Sequence, residues 1–197
     1  CKERNILKRE YMANLRLPLY TLSKFMIQLV LAAAQALLLT AVFAISQGEY
    51  PKGVWMDSYV MEIFLAILLT ILASMSMGLL ISAVVKTGDK AMTLAPFVLI
   101  VQLLFSGILF KLKDAAKYIA YLTVSKWSVE SMGSILDLNS LDLRMQKEIP
   151  TLEHEAQDIY EHAGAHVMSR WGVLLGMALA LAVLTTVLLT RVKKDQR

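Results

Sequence analysis

The sequence predicts an all-α integral membrane protein with four transmembrane helices. Four long stretches consist mainly of apolar residues and contain no Asp, Glu, Lys, Arg or His. A helix needs about 20 such residues to cross a hydrocarbon core about 30 Å thick, and unlike other structures it satisfies its own backbone hydrogen bonds there. The stretches are residues 25–46, 63–85, 91–110 and 171–190. Basic residues cluster in alternate connections between them, as four spans require.

The distribution of these basic residues predicts the topology. Twelve of the 20 Lys and Arg residues lie in residues 1–24, in the 86–90 turn and in the 191–197 tail. The 47–62 loop has one basic residue, and the 111–170 segment has seven against nine acidic residues. By the positive-inside rule, both termini lie on the cytoplasmic side of the plasma membrane in a multi-pass arrangement.

Residues 1–24 are predicted to form a cytoplasmic amphipathic helix ahead of the first span. Ile6, Tyr11 and Leu15 lie among charged residues, and Pro18 removes a backbone donor and disfavours helix just before it. Two partners suit the basic face of this helix: anionic lipid headgroups or a cytoplasmic protein. Since the chain begins at Cys1 without Met and without a signal peptide, we expect it to be a piece of a longer polypeptide.

Small residues at four-residue spacing occur in three of the predicted spans. Positions i and i+4 share a helix face, so each row lets another backbone approach closely, although hydroxyls in the second row could instead line a polar pathway. The rows are Ala32, Ala36, Thr40 and Ala44; Ala66, Thr70, Ser74, Gly78 and Ser82; and Gly172, Gly176 and Ala180. We therefore predict that these helices pack against other helices.

Three amides are the most polar side chains within the spans. An unpaired amide at membrane depth costs several kcal/mol, roughly, so Gln28, Gln35 and Gln102 should face protein or water. Hydrogen bonding between helices is the simpler explanation for Gln28 and Gln35. Gln102 lies mid-span and about two turns past Pro96, which frees a carbonyl, so a contact with substrate is equally plausible there.

Residues 111–170 are predicted to contain re-entrant helices and an external loop. Residues 115–136 are apolar enough to enter the membrane, but they carry Lys126 and Glu130, and a fifth span would reverse the tail. A re-entrant or interfacial helical pair fits better. Tyr118, Tyr121 and Trp127 suit the headgroup level, where an amphipathic ring has one wet end. Residues 137–169 then form an external excursion with one or two helices.

No catalytic motif is present in the sequence. It has no phosphate-binding G-x-x-x-x-G-K-[ST] loop, no G-x-S-x-G and no H-E-x-x-H or C-x-x-C pair. His154, Asp158, His162 and His166 follow at four-residue steps, which suits zinc, but the positions drift around a helix and cannot all converge. We predict a solvated surface helix here, no metal site and no nucleic-acid partner.

Several local patterns in this order resemble the membrane domain of G-subfamily-type ATP-binding-cassette (ABC) exporters, the type-2 permease architecture. The first set, similar to the family's coupling helix, is Glu3-Arg4, Arg9-Glu10-Tyr11-Met12-Ala13, Tyr20 and Ser23-Lys24. The second set, similar to the exit from span five and the external segment before the last span, is Phe105-Ser106-Gly107 and Ser125-Lys126-Trp127-Ser128-Val129-Glu130-Ser131. The resemblance covers essentially the whole chain.

The resemblance implies a permease that pairs with a second copy of the membrane domain and works with an ABC ATPase domain. ATP and Mg²⁺ bind to that ATPase domain, and no cofactor is expected in this chain. The family domain has six spans, so two spans are expected upstream of Cys1, and the ATPase domain is expected upstream on the same polypeptide or on a partner. Docking to that ATPase then becomes the favoured interpretation of four charged residues: Glu3, Arg4, Arg9 and Glu10. The external loop lacks the cysteines of many eukaryotic members, which favours a bacterial or archaeal source.

The function implied is the membrane portion of an ATP-driven exporter of an amphipathic or lipid-like substrate. Its candidate contacts are Gln28, Gln35, Gln102 and Phe105. Secondary transporters normally keep ionisable groups inside their spans, and these four spans have none, so the energy should come from elsewhere. The alternative is a non-transporting scaffold or sensor whose external loop binds a ligand. An embedded enzyme ranks third, because no catalytic cluster is present.

Overall fold

The computed structural model describes residues 17–46, 53–56, 58–85, 87–109, 115–140 and 158–194. These ranges contain helices and no strand, which confirms the predicted all-α class. The helices are α1 (Leu17–Ser46), α2 (Tyr59–Val84), α3 (Gly88–Leu104), α4 (Ala115–Ala120), α5 (Val124–Ile135) and α6 (Gly164–Lys194), with a 3-10 helix at Asp158–Tyr160. The predicted coupling helix falls outside the described residues as far as residue 16, and so do its four charged residues.

Three helices are long and apolar enough to cross a membrane, and they contain three of the four predicted spans. The candidate spans are Leu22–Ser46 in α1, Tyr59–Val84 in α2 and Gly164–Leu189 in α6. Each begins three to seven residues before the predicted apolar stretch. As a result, α2 includes Glu62 and α6 includes Arg170, near the ends that the predicted topology places outside.

The helix predicted over 91–110 ends earlier than expected. α3 has 17 residues and is therefore about 25 Å long, less than the hydrocarbon thickness of about 30 Å. The end is fixed locally: the Ser106 amide bonds to Leu103 O at 3.3 Å, the Ser106 hydroxyl donates to the same oxygen at 2.8 Å, and Gly107 has a φ of 86°. That left-handed conformation suits glycine and stops the helix.

The buried core lies where α5 packs between α2 and α6. One apolar cluster, nearer the N-terminal end of α5, comprises Ala32, Leu72, Ala73, Val124, Trp127, Leu174 and Ala178. The other, nearer its C-terminal end, comprises Tyr59, Ile63, Ala66, Ile135, Val167 and Trp171. Within residues 115–136 the structure has the two helices α4 and α5, and α5 packs against two candidate spans; their re-entrant course stays a prediction.

The rows of small residues behave differently in α1 and α6. In α1, Ala32, Ala36 and Thr40 are buried, which confirms the predicted packing face. In α6, Gly172 and Gly176 are exposed, and a Cβ at either position would meet no atom within 4 Å in the part of the chain that the structure describes. The buried face of α6 is instead formed by Val167, Trp171, Leu174 and Ala178.

Replacement of Ala32 by leucine is expected to destabilise the α1–α2 contact, because Ala32 is fully buried against Leu72 and Ala73. Overpacking of this kind costs about 1–3 kcal/mol. Ala34→Leu on the exposed side of α1 is the matched control, with an expected effect within about 0.5 kcal/mol. SDS-induced unfolding in micelles, followed by circular dichroism, measures both, and equal effects would contradict the packing described.

Candidate functional site

α5 carries four serines at three-residue intervals, Ser125, Ser128, Ser131 and Ser134. Each step of three residues turns about 60° short of a full circle, so the series winds about half way round the helix. This explains why the serines meet different neighbours. Ser128 Oγ accepts a hydrogen bond from Thr70 Oγ1 of α2 at 2.8 Å.

The other serines extend these contacts to the remaining neighbours of α5. Ser131 Oγ accepts a hydrogen bond from Trp171 Nε1 of α6 at 3.0 Å. Ser125 bonds to Gln102 of α3, and the Ser134 carbonyl accepts a hydrogen bond from His162 Nδ1 at 2.7 Å. α5 is therefore hydrogen-bonded to α2, α3, α6 and the segment that precedes α6.

A carboxylate is enclosed between α5 and α6. The side chain of Glu130 is 3% exposed and pairs with Lys126 one turn earlier on α5. On its other side, Glu130 Oε2 lies 2.9 Å from Arg170 Nε of α6. The N–H of Arg170 is not aligned for a hydrogen bond to that oxygen, so this contact is mainly electrostatic. Glu130 is thus the one negative charge between two cations, and it holds α5 on α6.

Both cations also lie against the ring of Trp127. Lys126 Nζ is 4.6 Å from the ring centroids of Tyr121 and Trp127, and Arg170 Cζ is 5.1 Å from that of Trp127, within range of cation–π attraction. The Trp127 ring is buried, and its Nε1 donates to Tyr121 O at 3.0 Å. Trp127 therefore lacks the expected wet end, because its N–H finds a protein carbonyl instead of water; its headgroup depth stays a prediction. Tyr118 is exposed, and its headgroup position likewise stays a prediction.

Glu62 fixes the loop that precedes α2. This carboxylate is fully buried and accepts hydrogen bonds from the amides of Val54 at 2.9 Å, Trp55 at 2.5 Å and Met56 at 2.6 Å. Its place in the first turn of α2 also suits a negative charge. A Cβ on Gly53 would collide with Met56 O, so this tight loop requires glycine. One side chain thereby satisfies three backbone donors of residues 53–56.

The same loop reaches α6 through an aromatic contact. The rings of Trp55 and Trp171 meet edge to face with centroids 6.1 Å apart. Gly164, at the start of α6, lies close enough that a Cβ there would be 3.3 Å from Trp55 Cδ1. Trp171 of α6 thus contacts the loop through Trp55 and α5 through Ser131. Both contacts lie at the end that the predicted topology places outside.

Two of the predicted substrate contacts lie at the junction of α3 and α5. Gln102 is half-buried, its Oε1 accepts a hydrogen bond from the Ser125 amide at 2.9 Å, and its Nε2 lies 3.2 Å from Met77 Sδ of α2. The carbonyl of Phe105 lies 3.5 Å from the hydroxyl of Thr123. The amide of Gln102 thus joins three helices.

The other two predicted contacts lie on α1, away from that junction. Gln28 and Gln35 are seven residues apart and share a face of the helix. Gln35 is exposed. The Oε1 of Gln28 is enclosed, and no hydrogen-bond partner for it occurs among the residues described. α1 packs chiefly on α2, whereas Gln102 contacts α2 and α5.

The predicted histidine-bearing surface helix is wrong over the part that the structure describes. Residues 158–160 form a 3-10 helix, residues 161–163 are irregular, and α6 begins only at Gly164. His162 and His166 donate to backbone carbonyls, His166 to Ile159 O at 3.1 Å. In the described ranges no group of three His, Cys, Asp or Glu side chains could hold a metal ion. His154 lies outside those ranges.

Sequence reasoning missed the roles of Glu62, Glu130 and Arg170. Glu62 and Arg170 were assigned to loops because each directly precedes an uncharged stretch. A signal was available in their positions: an ionisable residue next to a span or inside a re-entrant segment needs a partner, and the partner is usually another such residue. The pairing of Glu130 with Arg170 spans 40 positions and depends on how α5 descends, which no local pattern specifies.

Comparison with known proteins identifies relatives of this segment. The family model described as ABC-2 type transporter matches residues 1–136. The chain is similar to the ABC transporter ATP-binding/permease protein Rv1747 of Mycobacterium tuberculosis, with 26% identity over 185 residues, 92% of this chain and 20% of that protein. It therefore spans a fifth of the length of that relative. No solved structure matches the chain.

Substitution of Glu130 by glutamine is expected to destabilise the protein more than Arg170→Met does. Without the charge of Glu130, the buried Lys126 and the half-buried Arg170 have no carboxylate between them, whereas without Arg170 the Lys126–Glu130 ion pair remains. Breaking a buried pair costs about 3–5 kcal/mol. Unfolding in micelles provides the test, and adding R170M to E130Q should restore part of the loss. The exposed Glu161→Gln is the control, and a smaller effect of E130Q than of R170M would refute the assignment.

Substitution of Glu62 by glutamine is expected to release residues 53–56. Glutamine has one acceptor oxygen, and its amino group faces at least one of the three backbone amides without accepting from it. At least one charge-assisted hydrogen bond, worth about 1.5–3 kcal/mol, is therefore lost. Hydrogen–deuterium exchange should quicken at Val54, Trp55 and Met56 by about tenfold or more. Unchanged exchange of these amides, with α2 still protected, would show that Glu62 does not hold the loop.

Proposed function

Because the chain belongs to the ABC-2 type transporter family and forms part of its permease domain, we propose that it is the membrane portion of an ATP-driven exporter. The exporter moves an amphipathic or lipid-like substrate across the cytoplasmic membrane by alternating access. The observation that carries the proposal is the family match, which runs from the predicted coupling segment through α5. Within that stretch, the buried polar contacts of α5 join it to α2 and α6, and these three helices can move together as a rigid body.

The motor lies outside this segment. The chain has no nucleotide-binding motif, and the mycobacterial relative is by its name an ATP-binding/permease protein. An ABC ATPase domain, on the same polypeptide or on a partner, therefore supplies ATP and Mg²⁺. Residues 1–24 dock on it through the side chains of Glu3, Arg4, Arg9 and Glu10. Charge-assisted hydrogen bonds at this contact transmit a rigid-body movement to the spans.

The charges near the spans agree with an external source of energy. Glu62 is saturated by three backbone amides, and Glu130 is held between Lys126 and Arg170. Groups that couple transport to protons or sodium must bind and release an ion during the cycle. Carboxylates engaged in this way are structural, which favours ATP as the driving force over an ion gradient.

The substrate path lies along α1 and α3, on a surface completed by a second copy of the domain. Both helices expose long apolar faces, and α3 has no buried residue. Gln28 has an enclosed oxygen for which the described residues offer no donor, and Gln35 follows on the same face. Apolar walls with a few amides suit an amphipathic molecule. Gln102 and Phe105 border the same path where α3 meets α5.

This arrangement implies four crossings with both ends of the segment in the cytoplasm. α3, shorter than the bilayer core, completes its crossing together with the turn at 105–109 and the helical pair α4–α5. The competing proposal of a scaffold or sensor needs an external ligand site. Of the histidines in that segment, His162 and His166 are engaged by backbone carbonyls, and His154 lies outside the described residues.

Vanadate-sensitive ATP hydrolysis by the native gene product, purified in lipid through a tag on the 191–197 tail, tests the proposal. We expect hydrolysis by a polypeptide or complex much larger than this segment of 22.0 kDa. Absence of hydrolysis from the intact gene product and its co-purifying partners would overturn the exporter proposal and favour the scaffold or sensor.

Reversal of charge at Arg4 and Arg9 (R4E, R9E) is expected to uncouple transport from ATP hydrolysis, because the contact with the ATPase loses its charge-assisted bonds. Membrane insertion should be unchanged. Export from inverted vesicles and hydrolysis are measured together, with Lys193→Glu in the cytoplasmic end of α6 as the control. Wild-type export by the double variant would count against this coupling surface.

A further inference from the structure

Gln102 of α3 caps the N-terminal end of α5. The first four amides of any helix have no partner within it, and Ser125 is the second residue of α5. The usual capping position is occupied by Thr123, whose side chain makes no capping bond and donates instead to Ala120 O at 2.7 Å. The Ser125 amide is satisfied by Gln102 Oε1 at 2.9 Å. A side chain from another helix therefore does the work of the N-cap.

Ser125 in turn caps the C-terminal end of α3. The last four carbonyls of a helix lack a partner within it, and Gln102 O is one of them. In a longer helix its donor would be the Ser106 amide, which bonds to Leu103 O instead. The Ser125 hydroxyl donates to Gln102 O and fills this role. The two residues thus form a reciprocal cap that joins the end of one helix to the start of another.

The cap lies beside a candidate span. Gln102 Nε2 lies 3.2 Å from Met77 Sδ, and Met77 belongs to the span Tyr59–Val84. An unsatisfied backbone group in hydrocarbon costs several kcal/mol, roughly, and opening the cap exposes two of them. The junction of α3 and α5 is therefore a fixed point.

The rest of α3 is attached far more weakly. None of its residues is buried, and its contacts with α2 and α5 are few compared with those between α2 and α6. Pro96 lies mid-helix, six residues before Gln102, and has no N–H to donate to the carbonyl of Met92. Helices bend at such positions. The cytoplasmic half of α3, Gly88 to Ala95, thus has a hinge at one end and no buried side chain to hold it.

We infer that Gln102 is a positioning residue: the Gln102–Ser125 cap holds the outer end of α3 on α5, so that α3 bends at Pro96 and its cytoplasmic half opens and closes the inner end of the path. The inference rests on the proposed function for the motion and on the observed contacts for the cap. α5, which Glu130 holds on α6, keeps its position relative to α6. Nucleotide-driven movement then changes the position of Met92 but not that of Leu103.

Distances between spin labels test this in the complete polypeptide, reconstituted in lipid with an excess of unlabelled protomer. Leu179 of α6 is the reference site, and Met92 and Leu103 report the two halves of α3; all three are exposed. With ATP and vanadate, we expect the Met92–Leu179 distance to shift beyond its nucleotide-free width. The Leu103–Leu179 distribution should stay unchanged.

Variants then isolate the cap. Gln102→Leu and Ser125→Ala should broaden the Leu103 distribution or add a second population even without nucleotide, and they should lower export more than ATP hydrolysis. Ser125→Thr keeps the hydroxyl and should restore the wild-type distribution. Thr93→Val is the matched control, because the Thr93 hydroxyl bonds only one turn back, to Asp89 O at 3.0 Å on the same exposed helix.

The outcomes separate the cap from the proposed function. Leu103 moving as far as Met92 in the wild type, or a Leu103 distribution unaltered by Q102L, would overturn the inference. If neither label responds to nucleotide and no ATP is hydrolysed, the exporter proposal fails and the bending motion fails with it. The nucleotide-free comparison of Q102L with wild type still decides the cap in that case.

Discussion

Lipid offers no hydrogen bonds, and the arrangement of this chain depends on how α5 meets that constraint. α5 lies among the candidate spans and brings groups that need hydrogen-bond or ionic partners: the amides of its first turn, four serine hydroxyls and the carboxylate of Glu130. Every neighbouring helix contributes a partner: Thr70 from α2, Gln102 from α3, and Trp171 and Arg170 from α6. The polar contacts therefore specify where α5 sits, while apolar packing alone would allow it to slide.

Two classes of helix result from this arrangement. α2, α5 and α6 share two buried apolar clusters and the Glu130 ion cluster, so they behave as one body. α1 and α3 expose most of their large apolar side chains and contact that body along one face. In a permease this division is useful, because a motor needs both a rigid part to push and a surface that opens to substrate.

The sequence predicted what depends on short-range pattern. Uncharged stretches located three candidate spans, and the charge in residues 115–136 indicated a pair of shorter helices, α4 and α5. Predictions from the sequence were wrong where the position of a side chain or a helix end depends on residues far away in the chain. Trp127 is expected to have a wet end because tryptophan often lies at the headgroups, but its ring is buried in a cluster with Leu72 of α2 and Leu174 of α6, and its N–H donates to the carbonyl of Tyr121 just before α5. The end of α3 was placed too late because hydropathy does not register the left-handed Gly107.

The candidate site shows the same limit. The amides of Gln28, Gln35 and Gln102 were found because polar groups within spans are conspicuous. Their different environments depend on which helix approaches each one, as the reciprocal bonds between Gln102 and Ser125 illustrate. Glu62 was overlooked because its three partners are backbone amides, which leave no mark in the sequence.

The central claim is that α5 is a buried helix bound to the spans. Native-state amide exchange in the lipid-reconstituted protein, read by mass spectrometry for Val124–Ile135, tests it most directly. The account predicts that these amides exchange as slowly as those in the middle of α2 and α6. Exchange as fast as that of the irregular residues 161–163 would show that α5 lies outside the core, and would contradict the account.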